Sequence, residues 1–508
     1  MTRITNIGKG IIVWFAIVLF SIITILNLIL TGYFDEFYNE WTYFRWENVP
    51  LMVIIIGTIL VLATLLYKKT SYDKLPIKIL AGVLFFYAVV ASIGWVLMSK
   101  STSVADRKYV ADEAMKFMQG DYSGYQTAGY LFWYPFQTGI VALLELVFNI
   151  FGTGNIKAFK IINAFCVGAS FMALIKITGL MFTDEEKRKR IQRIAIILCF
   201  FCLPPIFYVT YVYGNIVGFT AAFWALYYEL KYLKGKSIYN LVPAAILITA
   251  GIILKNNMLI ILIAMLIFLL LHALENKRWI SLAAMVAMLL IYIVGSKGFM
   301  AIYSARTGVD MPEGVPMSLY IQMGLKEGYF GCGTYDASTI QLYTDAGYNA
   351  EAAKKLGNEI IKQRLELFDN DPFYSMSFWL RKTALQWCEP TYMSIWESNC
   401  TPTCHYEPVS EFTQSIYTGG WHNFLLGLMN IYQSLIWICA TVYVIINRKK
   451  MDTAKLLLVT SVIGGILFHT MWEAKSQYVI QYFCLLIPYA AAGFLAVVER
   501  CSRIGVKK

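Results

Sequence analysis

Charged residues are scarce in this sequence: 15% of its 508 residues are Asp, Glu, Lys or Arg, whereas 58% are hydrophobic. Soluble domains usually carry about 25% charged residues. A water-soluble protein of this size could not hide so much apolar surface. The sequence also contains no internal repeat at a fixed short period and no low-complexity tract. The composition therefore excludes an ordinary soluble domain.

Long apolar runs recur instead, among them residues 11–30, 51–66 and 282–294. With their flanks they reach or approach the ~20 residues that cross a ~30 Å hydrocarbon core. The first run is too long for a signal-peptide core and has no convincing small-residue cleavage site, so we interpret it as a retained span. We predict an all-α polytopic membrane protein with about 12 transmembrane helices. The predicted spans are 10–31, 50–67, 79–98, 157–182, 193–212, 216–232, 239–254, 258–273, 279–296, 422–446, 455–470 and 478–498.

The net charge of +11 can indicate a nucleic-acid partner, but its distribution favours another explanation. Of the 43 Lys and Arg residues, 24 lie in short clusters between spans or at the termini. Cytoplasmic loops of membrane proteins carry such an excess. We therefore predict a multi-pass protein of the cell membrane with both termini cytoplasmic, and no nucleic-acid partner. The clusters are Arg3/Lys9, 68–78, 187–193, 231–236, Lys277/Arg278, 448–455 and 500–508.

The outer segments follow from this topology. The loop 32–49 holds Asp35, Glu36, Glu40 and Glu47 against a single arginine, as expected outside. Residues 136–151 are apolar, but a span there would place the cluster at 187–193 outside. We therefore predict an outer interfacial helix. The predicted domains are an additional N-terminal two-span hairpin (1–78), a transmembrane core (79–298) with a first outer loop (99–156), a small, mainly helical extracytoplasmic domain (299–421) and a C-terminal three-span unit (422–508).

Within the extracytoplasmic domain, residues 349–368 show amphipathic helical spacing. A second helix is predicted from Asp371-Pro372, a carboxylate cap followed by proline. The domain contains Cys332, Cys388, Cys400 and Cys404, which permit two disulfides in three pairings. Cys400, Cys404 and His405 are an alternative metal site, although their spacing suits zinc poorly and no fourth ligand is evident.

Asp106 follows the third span and is the first candidate for chemistry, because a carboxylate at the membrane surface can act as a general base. The simpler alternative is a solvated acid that caps a helix. Asp112 and Glu113 lie about two helical turns further on and are weaker candidates for metal or acceptor contact. The segment 120–137 is rich in aromatic and turn residues, which suit a membrane-interface belt or a sugar-binding surface.

Two lysines complete the candidates. Lys255 lies at an outer turn, where it binds an anionic phosphate or extends to lipid headgroups. Lys475 follows the eleventh predicted span, and either pairs with Glu473 or supplies a second positive group for a phosphate. Lysines that converge on one outer face would form an anion site.

Taken together, short motifs around these candidates resemble the glycosyltransferase-C superfamily. The resemblance is to its protein O-mannosyltransferase-like branch of bacterial cell-envelope polyprenyl-phosphate-sugar transferases. The motifs extend from the third span to near the C-terminus, and the first two spans look like an addition. The matching motifs are Ala105-Asp106, Gly120-Asp-Tyr-Ser123, Gly129-Tyr-Leu131, Tyr134-Pro135, Gln137, Gly214-Asn215, Lys255-Asn-Asn257, Met323-Gly-Leu325, His469 and Trp472-Glu-Ala-Lys-Ser-Gln-Tyr478.

The resemblance implies that Asp106 is the catalytic carboxylate, with Lys255 and Lys475 near the lipid-linked phosphate. Many relatives carry a second acid in the next outer loop, but residues 213–215 contain none. Asp112, Glu113 or Asp121 is therefore a secondary acid candidate. The resemblance assigns no metal ligand and leaves open a divalent cation. The substrate-binding candidates are Tyr130, Tyr134, Gln137, Asn215, His469, Glu473 and Tyr478.

The predicted function is inverting transfer of a sugar from a polyprenyl-phosphate donor to a cell-envelope glycan or lipid-linked acceptor, on the outer face of the bilayer. A transporter or flippase for lipid-linked glycans is the alternative from another class, and it predicts acids and bases deep within the spans. A polymerase or ligase with a polyprenyl-diphosphate donor is the third possibility.

Overall fold

The computed structural model describes residues 2–34, 40–69, 75–401 and 403–504. Asp35, Glu36 and parts of the basic clusters at 68–78 and 500–508 lie outside the described residues. The helices are α1 (Thr2–Ile29), α2 (Val49–Lys69), α3 (Ile77–Ser99), α4 (Asp106–Met118), α5 (Tyr130–Trp133), α6 (Thr138–Phe151), α7 (Ile156–Met181), α8 (Glu185–Phe201), α9 (Pro204–Phe207), α10 (Asn215–Leu233), α11 (Leu241–Leu254), α12 (Leu259–Asn276), α13 (Trp279–Thr307), α14 (Met317–Gly324), α15 (Ser338–Asp345), α16 (Ala350–Asn370), α17 (Pro372–Trp387), α18 (Glu411–Thr418), α19 (Gly420–Asn447), α20 (Thr453–Met471), α21 (Ile480–Cys484) and α22 (Ile487–Ile504).

Two small antiparallel hairpins are the β-structure of the described ranges. Strand β1 (Leu30–Phe34) pairs with β2 (Thr42–Trp46), with Leu30 opposite Trp46. Strand β3 (Glu327–Gly328) pairs with β4 (Gly331–Cys332). The first hairpin joins α1 to α2 and is docked on the end of α17, because the Gly32 amide donates to the Cys388 carbonyl oxygen at 2.7 Å. The N-terminal pair of helices is therefore packed into the rest of the protein.

Nine helical segments in the described part of the chain are long and apolar enough to cross a membrane, or ten if the bent pair Glu185–Phe201 and Pro204–Thr210 counts as one span. A multi-pass helical membrane architecture is thus confirmed. The nine do not include three predicted spans: 193–212, which corresponds to the bent pair, 216–232, and 239–254, which is a shorter apolar helix, α11. Twelve spans therefore stay a prediction.

Close helix packing positions the ends of α10 and α11. Helix α7 packs between α3 and α10, and α10 packs against α11, while α19 packs against α1 and α22. A Cβ added to Gly251 would lie 3.0 Å from the Gly218 carbonyl oxygen, so α10 and α11 approach closely at their glycines. This contact holds Lys255, the residue after α11, beside the beginning of α10.

The two helices predicted in the region 299–421 are present, and the second has the expected cap at Asp371. Asn349 accepts a hydrogen bond from the Ala352 amide at the start of α16. Asp371 accepts one from the Tyr374 amide at the start of α17, and Pro372 is the first helical residue. Side-chain caps of this kind satisfy amides that have no partner within the helix.

Helix α6 covers the predicted interfacial segment and carries Glu145 in its middle. The Glu145 carboxylate pairs with the Arg306 guanidinium of α13 at 2.5 Å, and Tyr303 donates to the same carboxylate at 3.4 Å. The Glu145 side chain is only 9% exposed. The charge is therefore tolerated in an apolar helix because α13 neutralises it.

We expect R306M to lower the unfolding temperature in detergent more than the double variant E145Q/R306M. The single variant leaves a mostly buried carboxylate unpaired, which costs about 1–3 kcal/mol. As a control, K362M removes the exposed Lys362–Glu366 pair, and its effect should stay within about 0.5 kcal/mol. Equal shifts for R306M and the double variant would show that Glu145 needs no partner.

Candidate functional site

Asp106 lies at the end of a short, strained connection from α3. Lys100 and Ala105 both have left-handed φ angles, of 45° and 50°, which cost energy in residues other than glycine. Asp106 then begins α4, and no side-chain capping hydrogen bond forms there. The simpler alternative, a helix-capping acid, is therefore not what the structure shows.

The Asp106 carboxylate is exposed to water, yet it has no hydrogen-bond or ion-pair partner among the described residues. Desolvation by the surrounding protein raises the pKa of Asp106, and the charges of Lys475 and Lys255 oppose this rise. The structure thus brings together the three groups that the sequence singled out.

Lys475 lies between two carboxylates. Its ammonium group is 2.6 Å from Glu40, in the loop between β1 and β2, and 3.6 Å from Glu473. Burial alone would lower the pKa of Lys475, but the two carboxylates raise it overall. The Tyr478 hydroxyl donates to Glu473 at 3.1 Å. The predicted Glu473–Lys475 pairing is present, and Glu40 makes the shorter contact.

Lys255 has aromatic rather than acidic neighbours in contact. Its ammonium group lies 4.6 Å from the ring centroid of Tyr213 and 5.5 Å from that of Tyr478. Burial lowers the pKa of Lys255 to about 8, although the charges of Asp106 and Glu473 oppose this shift and that of Lys475 adds to it. A cation held by ring faces keeps its hydrogen-bond donors available for an anion.

Tyr213 contacts two of the predicted substrate-binding residues, Tyr130 and Gln137. Its buried hydroxyl accepts a short hydrogen bond from the Gln137 amide and lies 3.4 Å from the Tyr130 hydroxyl. Further down, Asn215 donates to the Tyr208 hydroxyl at 2.9 Å, and Tyr208 donates to Gln477 at 3.2 Å. Tyr130 and Gln137 are therefore hydrogen-bonded to a tyrosine that contacts Lys255, whereas Asn215 belongs to a separate hydrogen-bonded group with Tyr208 and Gln477.

Tyr134 and His469 adjoin the same cluster. The pKa of Tyr134 is raised first by burial and then by the charge of Asp106, which places the phenol near that carboxylate. The His469 ring is fully buried in α20, stacks against Tyr478 at 6.0 Å, and neither ring nitrogen has a hydrogen-bond partner in the described chain.

Two of the three secondary acid candidates have local partners instead. Glu113 pairs with Lys116 at 2.8 Å, and Asp121 accepts from the Ser123 amide at 2.9 Å. Asp112 lies in α4 and is partly buried. Of the acids, Glu40 and Glu473 are the ones whose charges act on Asp106 and Lys475 together. In the described ranges, no group of three or more His, Cys, Asp or Glu side chains is arranged to hold a metal ion.

A buried ion pair fixes the connection that carries Asp106. The Arg107 guanidinium lies 3.2 Å from the Glu397 carboxylate, and it also donates to the carbonyl oxygens of Glu397 and, at 3.3 Å, Val104. Both side chains are only 4% exposed. Arg107 therefore attaches the residue next to Asp106 to the extracytoplasmic domain.

Sequence reasoning missed Glu40, Tyr213, Arg107 and Glu397 as members of the site. Glu40 looked like one of several acids in an outer loop. The signal for Tyr213 was the tyrosine-rich run before Gly214-Asn215. As a whole, the site offers an accessible carboxylate that can accept a proton and two ammonium groups that can bind an anion.

We expect Y213F to lower the unfolding temperature, because the change leaves the buried Gln137 amide without its acceptor. The cost should be about 1–3 kcal/mol. Y239F removes the hydroxyl of a tyrosine that is 80% exposed and serves as the matched control, with little change expected. Thermal unfolding of the purified protein in one detergent measures both. Identical curves for Y213F and the wild type would contradict a structural role for this hydroxyl.

In comparisons with known proteins, neither a family model nor a curated protein matches this chain. The resemblance to the glycosyltransferase-C superfamily therefore rests on the short motifs between Ala105 and Tyr478. Enzymatic function is accordingly a proposal built on the geometry of Asp106, Lys255 and Lys475.

Proposed function

We propose that this protein is an inverting glycosyltransferase that moves a sugar from a polyprenyl-phosphate donor to a glycan or lipid-linked acceptor at the cell envelope. In this proposal the chain crosses the bilayer twelve times, with both termini cytoplasmic and Asp106 at the outer face. The observation that carries the proposal is the placement of one unpartnered, accessible carboxylate beside two lysines, at the ends of apolar helices.

Each group has a role in the proposed reaction. Asp106 removes the proton from an acceptor hydroxyl as the oxygen attacks the anomeric carbon and the bond to the phosphate oxygen breaks. Lys255 and Lys475 stabilise the negative charge that grows on the departing polyprenyl phosphate. The aromatic rings of Tyr213 and Tyr478 keep Lys255 oriented without a carboxylate that would compete with the phosphate.

A transporter of lipid-linked glycans is the second candidate, and one observation favours it. Glu229 in α10 is fully buried, and neither of its carboxylate oxygens has a hydrogen-bond partner in the described residues. Ionisable groups within membrane helices commonly mark transport pathways. Glu229 is separate from the Asp106 cluster in the sequence and is four residues from the end of α10. A single buried acid outlines no continuous path across the bilayer.

D106N should lower sugar transfer by about 10²–10⁴-fold, because an amide cannot accept the proton of the acceptor hydroxyl. The assay is release of polyprenyl phosphate from a panel of polyprenyl-phosphate sugars by purified protein. D369N, an exposed change in α16, is the matched control. Full activity of D106N would remove the proposed base, whereas glycan translocation that is abolished by E229Q would favour the transporter.

The pH profile of kcat/KM should fall on the alkaline side near pH 8, because Lys255 loses its charge there. Below this pH the ammonium form binds the donor phosphate; above it, the neutral amine does not. K255R should move this limb to higher pH, since a guanidinium stays charged. K475R should leave the limb in place, because the carboxylates beside Lys475 keep its pKa high. A limb that K255R does not move would exclude Lys255 as its source.

A further inference from the structure

Two of the four cysteines in the extracytoplasmic domain lie in contact. The sulfur atoms of Cys400 and Cys404 are 3.4 Å apart. Cys332 instead contacts the Glu327 carboxylate at 3.1 Å, and Cys388 is buried in an apolar cluster with Leu26 and Ala384. Of the three pairings that the sequence left open, the structure therefore favours one bond, between Cys400 and Cys404.

The contacts around this pair favour a thiolate on Cys404 rather than on Cys400, whose pKa is raised by the hydrogen bond with Cys404 and by burial. Arg107 donates to the Cys400 sulfur at 3.0 Å, and the Thr401 amide donates to the Cys404 sulfur at 3.1 Å. The hydrogen bond with Cys400 lowers the pKa of Cys404, with a further contribution from the Thr401 hydroxyl. Thiolates are the nucleophiles of disulfide exchange, and nearby positive charge stabilises them.

The same turn supports the connection that leads to Asp106. The Thr102 amide donates to the Cys404 carbonyl oxygen at 2.6 Å, and the Tyr406 amide donates to the Lys100 carbonyl oxygen at 3.1 Å. The two ring nitrogens of His405 contact Ser99 and Asn399 at 2.8 and 2.9 Å, so this ring is occupied and does not complete a metal site. The turn 400–406 thus holds residues 99–107 in place, and we call it the platform.

We propose that Cys400 and Cys404 are a redox-active pair that forms a disulfide by exchange with an external disulfide and thereby fastens this platform. The Cys404 thiolate attacks one sulfur of the external disulfide, and the first thiolate leaves and takes up a proton. The Cys400 thiolate then attacks the Cys404 sulfur and releases the second thiol. Two protein thiols are oxidised and one disulfide is reduced to two thiols. The proposal rests on the predicted outer location of the domain and is independent of the proposed transferase activity.

The cellular test is differential alkylation. Cells are quenched with acid, the protein is unfolded in denaturant that contains N-ethylmaleimide at neutral pH so that buried free thiols react, and it is then reduced and labelled with iodoacetamide before peptide mapping by tandem mass spectrometry. Cys400 and Cys404 should both carry the second label, while Cys332 and Cys388 carry the first and serve as internal controls. First-label modification of both Cys400 and Cys404 in most molecules would overturn the proposal.

The chemical test uses reduced, purified protein and glutathione disulfide. Wild-type protein should lose two hydrogen atoms per molecule without keeping glutathione, because Cys400 resolves the mixed disulfide. C400S should accumulate a glutathione adduct on Cys404, and C404S should react more slowly. The unfolding temperature of the wild type should fall after reduction, whereas that of C400S/C404S should not respond to reductant. A stable glutathione adduct on the wild type would contradict the resolving role of Cys400. Failure of the transferase assay leaves these outcomes unchanged.

Discussion

The ion pair between Arg107 and Glu397 is the interaction on which the position of Asp106 depends. Both groups are almost fully buried, and desolvation of a lone charge there would be costly. Because Arg107 follows Asp106 directly, the pair fixes where the α4 helix begins and how its first carboxylate is presented. The left-handed conformation of Ala105 persists because the surrounding contacts over-determine the backbone.

The two lysines near Asp106 differ in the groups that contact them. Lys475 is saturated by Glu40 and Glu473, whereas Lys255 faces aromatic rings. An incoming phosphate would therefore meet Lys255 as a ready cation but would compete with Glu40 for Lys475. Since the Glu40 contact comes from the β1–β2 loop, the first two helices belong to the electrostatics of the site. In the resemblance to the glycosyltransferase-C superfamily they looked like an addition, yet their hairpin loop supplies Glu40, the nearer of the two carboxylates that contact Lys475.

Local sequence signals were sufficient for elements whose causes are local. Amphipathic spacing from residue 349 predicted α16, and Asp371 marked the start of α17 because a side-chain cap acts on amides up to three residues away. The contact between Lys475 and Glu40 spans most of the chain, and no spacing rule reports it. Short sequence motifs identified Asp106, Lys255 and Lys475 separately, but that their charges act on one another is seen only in the folded protein. Tyr213 was missed for the same reason, because its role depends on partners from three different elements.

The two glycines at the α10–α11 contact show how helix packing determines the position of Lys255. Without a hydrophobic driving force between helices in lipid, close approach depends on small residues and van der Waals contact. Gly218 and Gly251 permit that approach, and Lys255 then emerges one turn later against Tyr213. A larger residue at position 251 would have to move α10 or α11 apart, and Lys255 would move with α11 away from Asp106. The position of a candidate phosphate ligand is thus set by the packing of α10 against α11, whereas that of the candidate base is set by the contacts of Arg107.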